Sequence, residues 1–312
     1  MKKEMKYEKF IEVWIDYHKQ FIKESTFANY KNIINNHLAV DFKSKKLTYF
    51  SNSILQKYVI KKYQQGAVDG KPLAIKTVKD IIVVLKLSLR YAFAQNYIES
   101  FDLSIKYPKV TVDNSLSIIS NNDIRKIIKN IYKSNDNRDY GILIALLTGL
   151  RIGEICALRY CDICFKSNII FIRRTLQRIY FKDSKTKIIE TSPKTSASFR
   201  AIPLSKELRN ILEAENIKDN YFILSNSLKP VEPRLLRKRF DNMLEKNRIK
   251  HYKFHSLRHT FATKCVEAKI DYKTISVLLG HSNINTTLNL YVHPNNSQKK
   301  RAINKLTAHI LK

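Results

Sequence analysis

Acidic residues are scarce in this 312-residue chain: 27 Asp and Glu stand against 57 Lys and Arg, a formal net charge of +30. A compact chain of that charge strains under self-repulsion unless an acidic partner offsets it. Long apolar runs are lacking too. No stretch approaches the roughly 18 residues of a spanning helix, and Met1-Lys-Lys-Glu-Met-Lys leads into no signal-peptide core. The expected polyanion is therefore nucleic acid rather than a membrane surface, and the expected compartment is the cytoplasm. Cysteines number four (Cys156, Cys161, Cys164 and Cys265) with no secretory signal, as in a reduced protein. Cys156 falls in the helical stretch Ile152–Leu158, and the three close-spaced cysteines lack a second ligand pair, so buried thiols are expected rather than zinc and no metal or cofactor is assigned. Glycines number only six, and Gly149, Gly153 and Gly280 are three of them.

What is present is apolar periodicity on both sides of a break. Hydrophobic residues make up 44%, enough for packed cores, and the length suits two domains. Residues 1–110 hold 20 Lys/Arg and 10 Asp/Glu, a net of +10, which leaves 37 and 17, a net of +20, for the remainder. Both halves therefore face one polyanion. Phe10, Trp14, Tyr17 and Phe21 recur at helical spacing. Ser25-Thr26 is placed to cap a second helix carrying Ile33, Ile34 and Leu38, and Ser51-Asn52-Ser53 opens a third through Leu55, Tyr58 and Val59. After a turn at 66–72, a fourth helix, about Ile75 to Asn96, carries Val78, Ile82, Leu85, Leu89 and Phe93. Four helices with short connections predict an all-α bundle.

The period is lost across residues 97–116, which include Pro108. We place the N-terminal unit at 1–108, a linker at 109–116 and the C-terminal unit at 117–312. Ser120-Asn-Asn-Asp123 has capping-box spacing before Ile124, Ile127, Ile128 and Ile131. A helix from about Arg138 to Thr148 follows, ended by Gly149. Ile169–Thr175, Arg178–Phe181, Lys187–Thr191 and Phe199–Pro203 read as short antiparallel strands, and from Lys206 onward the pattern is helical. The predicted fold is mainly α with one small antiparallel β-sheet.

The chemistry-bearing residues are widely spaced. Phosphodiester cleavage by a protein hydroxyl builds negative charge on the non-bridging oxygens, and guanidinium groups match it with fixed, forked donors that stay charged. Arg151, in Thr148-Gly-Leu-Arg151-Ile-Gly-Glu154, and Arg258, in His255-Ser-Leu-Arg258-His259, are the candidates. Gly149 and Gly153 flank Arg151, and Gly280 precedes His281, which suggests tight turns that bring backbone close to a ligand. His255 and Arg258 are three apart and share a helical face, so both can meet one phosphate, the histidine as donor or as acceptor of a phenol proton. His259, four from His255, does not make a zinc pair of the metalloprotease kind, because Ser256 stands where that motif needs Glu. In Leu278-Leu-Gly-His281-Ser-Asn-Ile-Asn-Thr-Thr-Leu-Asn-Leu-Tyr291, His281 can donate to the phosphate and Tyr291 can attack it. A free phenol titrates near pH 10, so Tyr291 needs a base and a cationic field, which His255 and the arginines supply.

These segments, with the Thr-Thr pair and the trailing Val-His after Tyr291, resemble the tyrosine recombinase, or phage integrase, family across roughly residues 120–295. The resemblance implies an N-terminal helical domain that binds core DNA, a mixed α/β catalytic domain, and a site-specific recombinase. It implies cleavage and rejoining through a 3′-phosphotyrosyl link on Tyr291, with no metal or nucleotide. Family members protonate the leaving 5′ oxygen with a hairpin lysine. Thr191-Ser-Pro-Lys194-Thr-Ser-Ala-Ser-Phe-Arg200-Ala-Ile-Pro203 resembles that segment and gives the role to Lys194, with Lys185 and Lys187 as rivals. Glu154 is expected to orient its neighbours.

The implied partners are a double-stranded recombination site and, in synapsis, three further copies. The C-terminal helix, with Ile303, Leu306 and Ile310 at helical spacing, would dock on a neighbouring copy or pack on its own domain. The additional arm-binding domain of many integrases is not expected. Two alternatives stand beside this reading: a non-catalytic DNA-binding regulator of the same fold, and a type IB topoisomerase without synapsis. All six expected site positions are filled, against the first. The histidine box and the short length weigh against the second.

Overall fold

The computed structural model describes residues 4–67, 69–99, 103–109, 117–134, 136–180, 186–192, 199–213, 218–291, 300, 303–304, 306–308 and 310–311; side chains of 180, 286 and 289–291 fall outside the description. The chain divides into two compact units, Met1–Asp113 with Arg178–Lys187, and Asn114–Gln177 with Ile188–Lys312. No helix among the described residues is long and apolar enough to cross a membrane.

The first unit is helical. It comprises α1 (Tyr7–His18), α2 (Glu24–Ile33), which runs through a π turn at Ile34–Leu38 into α3 (Ala39–Phe42), then α4 (Asn52–Gln65) and α5 (Ile75–Ala94). Helix α1 buries Tyr7, Phe10, Ile11, Trp14 and Ile15, the i, i+3, i+4, i+7, i+8 stripe of a helix facing a core. The predicted stripe holds only at Phe10 and Trp14. Tyr17 and Phe21 are exposed, because α1 ends at His18 and a 3-10 turn at Lys19–Phe21 changes the periodicity. Phe93, near the end of α5, is exposed, just past the last buried positions Leu89 and Ala92. Ser25 and Thr26 do not cap α2: Lys23 holds the cap position, and both lie inside the first turn. Ser51 does cap α4, accepting the Ile54 amide at 3.4 Å.

The stretch after α5, where periodicity fails, is a strap on this core. Tyr97, Ile98, Leu103, Ile105 and Tyr107 pack against it. The strap's backbone is tied down by side chains: Gln56 pairs with both the amide and the carbonyl of Lys106, each at 2.9 Å, and Lys86 reaches the Leu103 carbonyl at 2.7 Å. Residues 110–116, most of the expected linker, lie outside the described residues.

The second unit comprises α6 (Asn121–Ser134), α7 (Asn137–Thr148), α8 (Ile152–Ala157), β1 (Ile163–Cys164), β2 (Ile169–Ile172), β5 (Arg200–Pro203), α9 (Lys206–Leu212), α10 (Pro233–Lys246), α11 (His255–Glu267), α12 (Tyr272–Leu279) and α13 (Ile284–Tyr291), while β3 (Thr175–Tyr180) and β4 (Thr186–Thr191) are divided between the two units at Gln177/Arg178 and Lys187/Ile188. Ser120 takes the Asp123 amide at 3.1 Å and gives its hydroxyl to the Asp123 carboxylate at 2.9 Å, so the expected start of α6 is capped as its sequence indicates. Helix α7 is buried almost all round, from Gly141 to Leu146, and packs against α6, α8, α9, α10 and α11. An all-round apolar helix belongs at the centre of a core.

Two small sheets replace the one expected. Strands β1-β2-β5 form one, with Ile170 opposite Ile202 in an antiparallel register, and β3-β4 form the other. The run Ile169–Thr175, read as one strand, is broken at Arg173-Arg174. Arg174 turns to the buried Asp162 carboxylate at 2.6 Å, and an ion pair on that side chain takes precedence over continuing the ladder. The fold is mainly α with small antiparallel sheets.

Candidate active site

Two helix ends create the site. Helix α7 stops at Gly149 (φ +67°) and α12 stops at Gly280 (φ +64°), both left-handed caps where glycine carries no Cβ penalty. At Gly149 a Cβ would lie 2.5 Å from a ring carbon of Phe261 and 2.8 Å from Leu279. The turn thus also demands glycine for space. Such caps leave carbonyls facing inward, and Arg258, reaching from α11, donates to two of them: Nη1 to Gly149 O and Nη2 to Leu279 O, each at 2.7 Å. With only 3% of its surface exposed, Arg258 staples the end of α7 to the end of α12.

Arg151 follows two residues after Gly149 and caps α8. Its amide donates to Glu154 Oε2 at 2.9 Å, its Nη1 to Glu154 Oε1 at 2.9 Å, and its Nη2 reaches Gly280 O at 3.4 Å. The Arg151 side chain stays 40% exposed while that of Glu154 is 4% exposed. One guanidinium is therefore anchored from below and open above, as a ligand-binding arginine must be. The same carboxylate holds Arg200 of β5, through Nη2 at 2.9 Å and Nη1 at 3.2 Å, and Arg200 Nε donates to Leu278 O at 2.8 Å. Burial pushes the Glu154 carboxyl up, but the Arg200 and Arg151 guanidiniums more than offset that and leave it below the ordinary carboxylate value.

The two histidines sit in the field of these arginines. His255 begins α11, and its ring meets that of His259 edge-on, centroids 4.6 Å apart. Its pKa falls to about 4 through burial, then through the charges of His259, Arg258 and Arg151. His281 follows Gly280, and its pKa also falls to about 4, through burial first and then Arg258, Arg151, Arg200 and His255. Both rings are consequently neutral at pH 7. His281 Nδ1 is 2.8 Å from Thr287 Oγ1, a buried hydroxyl on α13 that can complement either tautomer. Beside His255 and Arg258 opens a cleft of about 450 Å³, also lined by Leu150, Ile152, Phe254, Arg237 and Lys253.

Arg151, Arg258, His255 and His281 thus come together from three separate segments. Helix α13 packs against α11 and α12, and its last residue is Tyr291, one turn beyond Thr287; the Tyr291 side chain lies outside the description. Lys194 and Lys185 lie outside the described residues, and Lys187 is exposed on β4. Among the described residues no group of three or more His, Cys, Asp or Glu side chains is placed to hold a metal. Two participants carried no assigned role in the sequence reading, Arg200 and Thr287. The signal for Arg200 is its place on the inward face of β5, shared with Ile202. Recognising it required the register of that strand.

A mostly helical unit here concentrates three arginines and one carboxylate around two neutral imidazoles, a local excess of positive charge. The sequence pattern of the phage integrase family matches residues 117–298, and that of the phage integrase N-terminal SAM-like domain matches residues 6–63. A tyrosine recombinase XerC-like protein of Caldanaerobacter subterraneus subsp. tengcongensis is 30% identical, over 91% of this chain and 78% of that one. The transposase of transposon Tn916 from Enterococcus faecalis is 30% identical over 49% of this chain and 41% of its own. Among solved structures, the Tn1549 transposon integrase in complex with transposon right end DNA superposes with a TM-score of 0.74 at 21% identity, over 97% of this chain and 100% of that one. A lambda integrase dimer bound to a core site gives 0.66 at 17% identity, over 93% and 78%. The chain belongs to the phage integrase family, the tyrosine recombinases, and is a site-specific DNA recombinase that breaks and rejoins DNA.

Proposed function

We propose that Tyr291 is the nucleophile, and that Arg151, Arg258, His255, His281 and Lys194 serve its attack on one backbone phosphate of a duplex recombination site. The phenol oxygen bonds to phosphorus, its proton passes to the neutral His255, and the bond to the 5′ oxygen breaks as Lys194 protonates that oxygen. A 3′-phosphotyrosyl link results, and a 5′ hydroxyl from a partner strand reverses each step, so no external energy is consumed. The observation that carries this reading is the convergence of Arg151, His255, Arg258 and His281 on the ends of α7 and α12, where Arg151 reaches Gly280 O and Arg258 holds Gly149 O and Leu279 O, with both imidazole pKa values lowered there. Both imidazoles are held neutral without DNA, ready to accept or donate a proton. An incoming phosphate offsets the cations and raises their pKa, so basicity rises when substrate arrives.

We extend the reading to the assembly and its setting. Four copies would act on two DNA sites in the cytoplasm, with the N-terminal helical domain (1–108) on core DNA and the C-terminal domain (117–312) carrying the chemistry. Ile303, Leu306 and Ile310 are exposed in the isolated chain, which supports docking of the C-terminal helix on a neighbouring copy over packing on its own domain. Similarity to the transposase of transposon Tn916 favours a mobile element as the natural substrate.

The test is trapping on a nicked suicide substrate. Wild type should give a protease-sensitive covalent adduct, and Tyr291→Phe should give none while binding the same DNA. An equal adduct from the Phe variant would assign the nucleophile elsewhere.

A further inference from the structure

Glu154 poses an electrostatic problem for the site just described. Its carboxylate lies 2.9 Å from the Arg151 guanidinium. Left as a pair, the two would carry no net charge, and a phosphate approaching Arg151 would also meet an anion. Arg200 removes that difficulty. It covers both Glu154 oxygens, and both side chains are 4% exposed, so water screens their interaction little. The triad of Arg151, Glu154 and Arg200 keeps a net charge of +1, and the exposed member is Arg151.

Arg200 has a second attachment. Its Nε bond to Leu278 O fixes β5 to the last turn of α12, two residues before the Gly280 carbonyl that receives Arg151 and three before His281. Its charge is also among those that keep His281 neutral.

We propose that Arg200 is a positioning residue for strand cleavage: by neutralising Glu154 and bracing the Leu278–His281 segment, it leaves the Arg151 charge free for the DNA phosphate. This rests on the reading of Arg151 as a phosphate ligand. It assigns to Arg200 no contact with DNA.

The experiment measures single-turnover adduct formation by the full chain on a suicide substrate, with DNA affinity and thermal unfolding alongside. Arg200→Met should slow adduct formation about ten- to hundredfold, less than outright loss of a transition-state donor, with DNA affinity nearly unchanged. Arg200→Lys keeps the charge and should recover most of the rate. The decisive variant is Glu154→Gln/Arg200→Met, which removes the anion together with its counter-charge and should cleave about tenfold faster than Arg200→Met or more. A purely structural role predicts the reverse, since two core changes would do more harm than one. A double variant no faster than Arg200→Met, or a wild-type rate in Arg200→Met, overturns the proposal. Should Arg200→Met fail to fold, the double variant is compared with Arg151→Ala: a clearly faster rate supports the proposal and an equal rate overturns it. A wild-type rate in Arg151→Ala refutes the phosphate-ligand reading itself.

Discussion

Arg151→Ala and Arg258→Ala should impair the same chemistry to a similar degree yet differ sharply in stability, because the fold uses the two guanidiniums differently. Arg258 is 3% exposed and gives two short hydrogen bonds to carbonyls at the ends of α7 and α12. Hydrogen bonds from a charged donor contribute about 1.5–3 kcal/mol each, so truncation should cost about 3–6 kcal/mol and leave both carbonyls without that donor. For a unit of this size that lowers Tm by roughly 6–24 °C. Arg151 has a side chain 40% exposed, one ion pair and one long contact at 3.4 Å. Its ion pair is screened by solvent, so its loss should cost about 1 kcal/mol or less, a Tm change of a few degrees at most. On the chemical step each variant should lose about 2.7–4 kcal/mol of transition-state stabilisation, a factor of roughly 10²–10³. Calorimetry or thermal circular dichroism, paired with suicide-substrate cleavage below either midpoint, separates the two effects. Equal unfolding temperatures for the two variants would refute the stapling role of Arg258. Normal cleavage by Arg151→Ala would refute its role at the phosphate.

Thr287→Val should slow cleavage by about ten- to hundredfold by releasing the His281 ring, and Thr287→Ser should restore it; single-turnover rates check both. Gly149→Ala should cost about 2–5 kcal/mol, from a left-handed φ with a Cβ and from the overlap with Phe261 and Leu279, visible as lost soluble protein or a lowered Tm. The pH response follows from His255 and His281, whose values fall from 6.5 to about 4 on folding. Between those values the unfolded chain binds more protons, so stability should fall as pH drops from 6.5 towards 4 and be unaffected by these rings above 6.5. Because a bound phosphate raises the same values, the acid limb of cleavage at saturating DNA should lie at higher pH than the acid limb of kcat/KM. Coincident limbs would argue against His255 and His281 meeting the phosphate.

The helices were legible where a single face is buried. Leu55, Tyr58 and Val59 on α4, Val78, Ile82, Leu85 and Leu89 on α5, and Ile127 and Ile131 on α6 lie inside as their spacing indicates. Local spacing failed where a helix ends or a side chain is drawn away by a distant partner. Tyr17, Phe21 and Phe93 lie exposed at or beyond helix ends, with Tyr17 reaching the rings of Phe21 and Tyr91, and Arg174 leaves the strand for Asp162. Residues 103–107 carry no period because this extended segment is held by Gln56 and Lys86 rather than by its own ladder.

The amino-acid order was sufficient to propose the reacting groups, since arginine, histidine and tyrosine have chemistries that few other tasks require together, and to show the excess of positive charge. Their division of labour came from packing alone. Spacing along a chain does not report whether a guanidinium is buried among carbonyls, as Arg258 is, half open, as Arg151 is, or a counter-charge to a carboxylate, as Arg200 is. That distinction rests on segments more than 100 residues apart, such as Gly149 and Arg258, whose meeting is set by the closure of one core around α7.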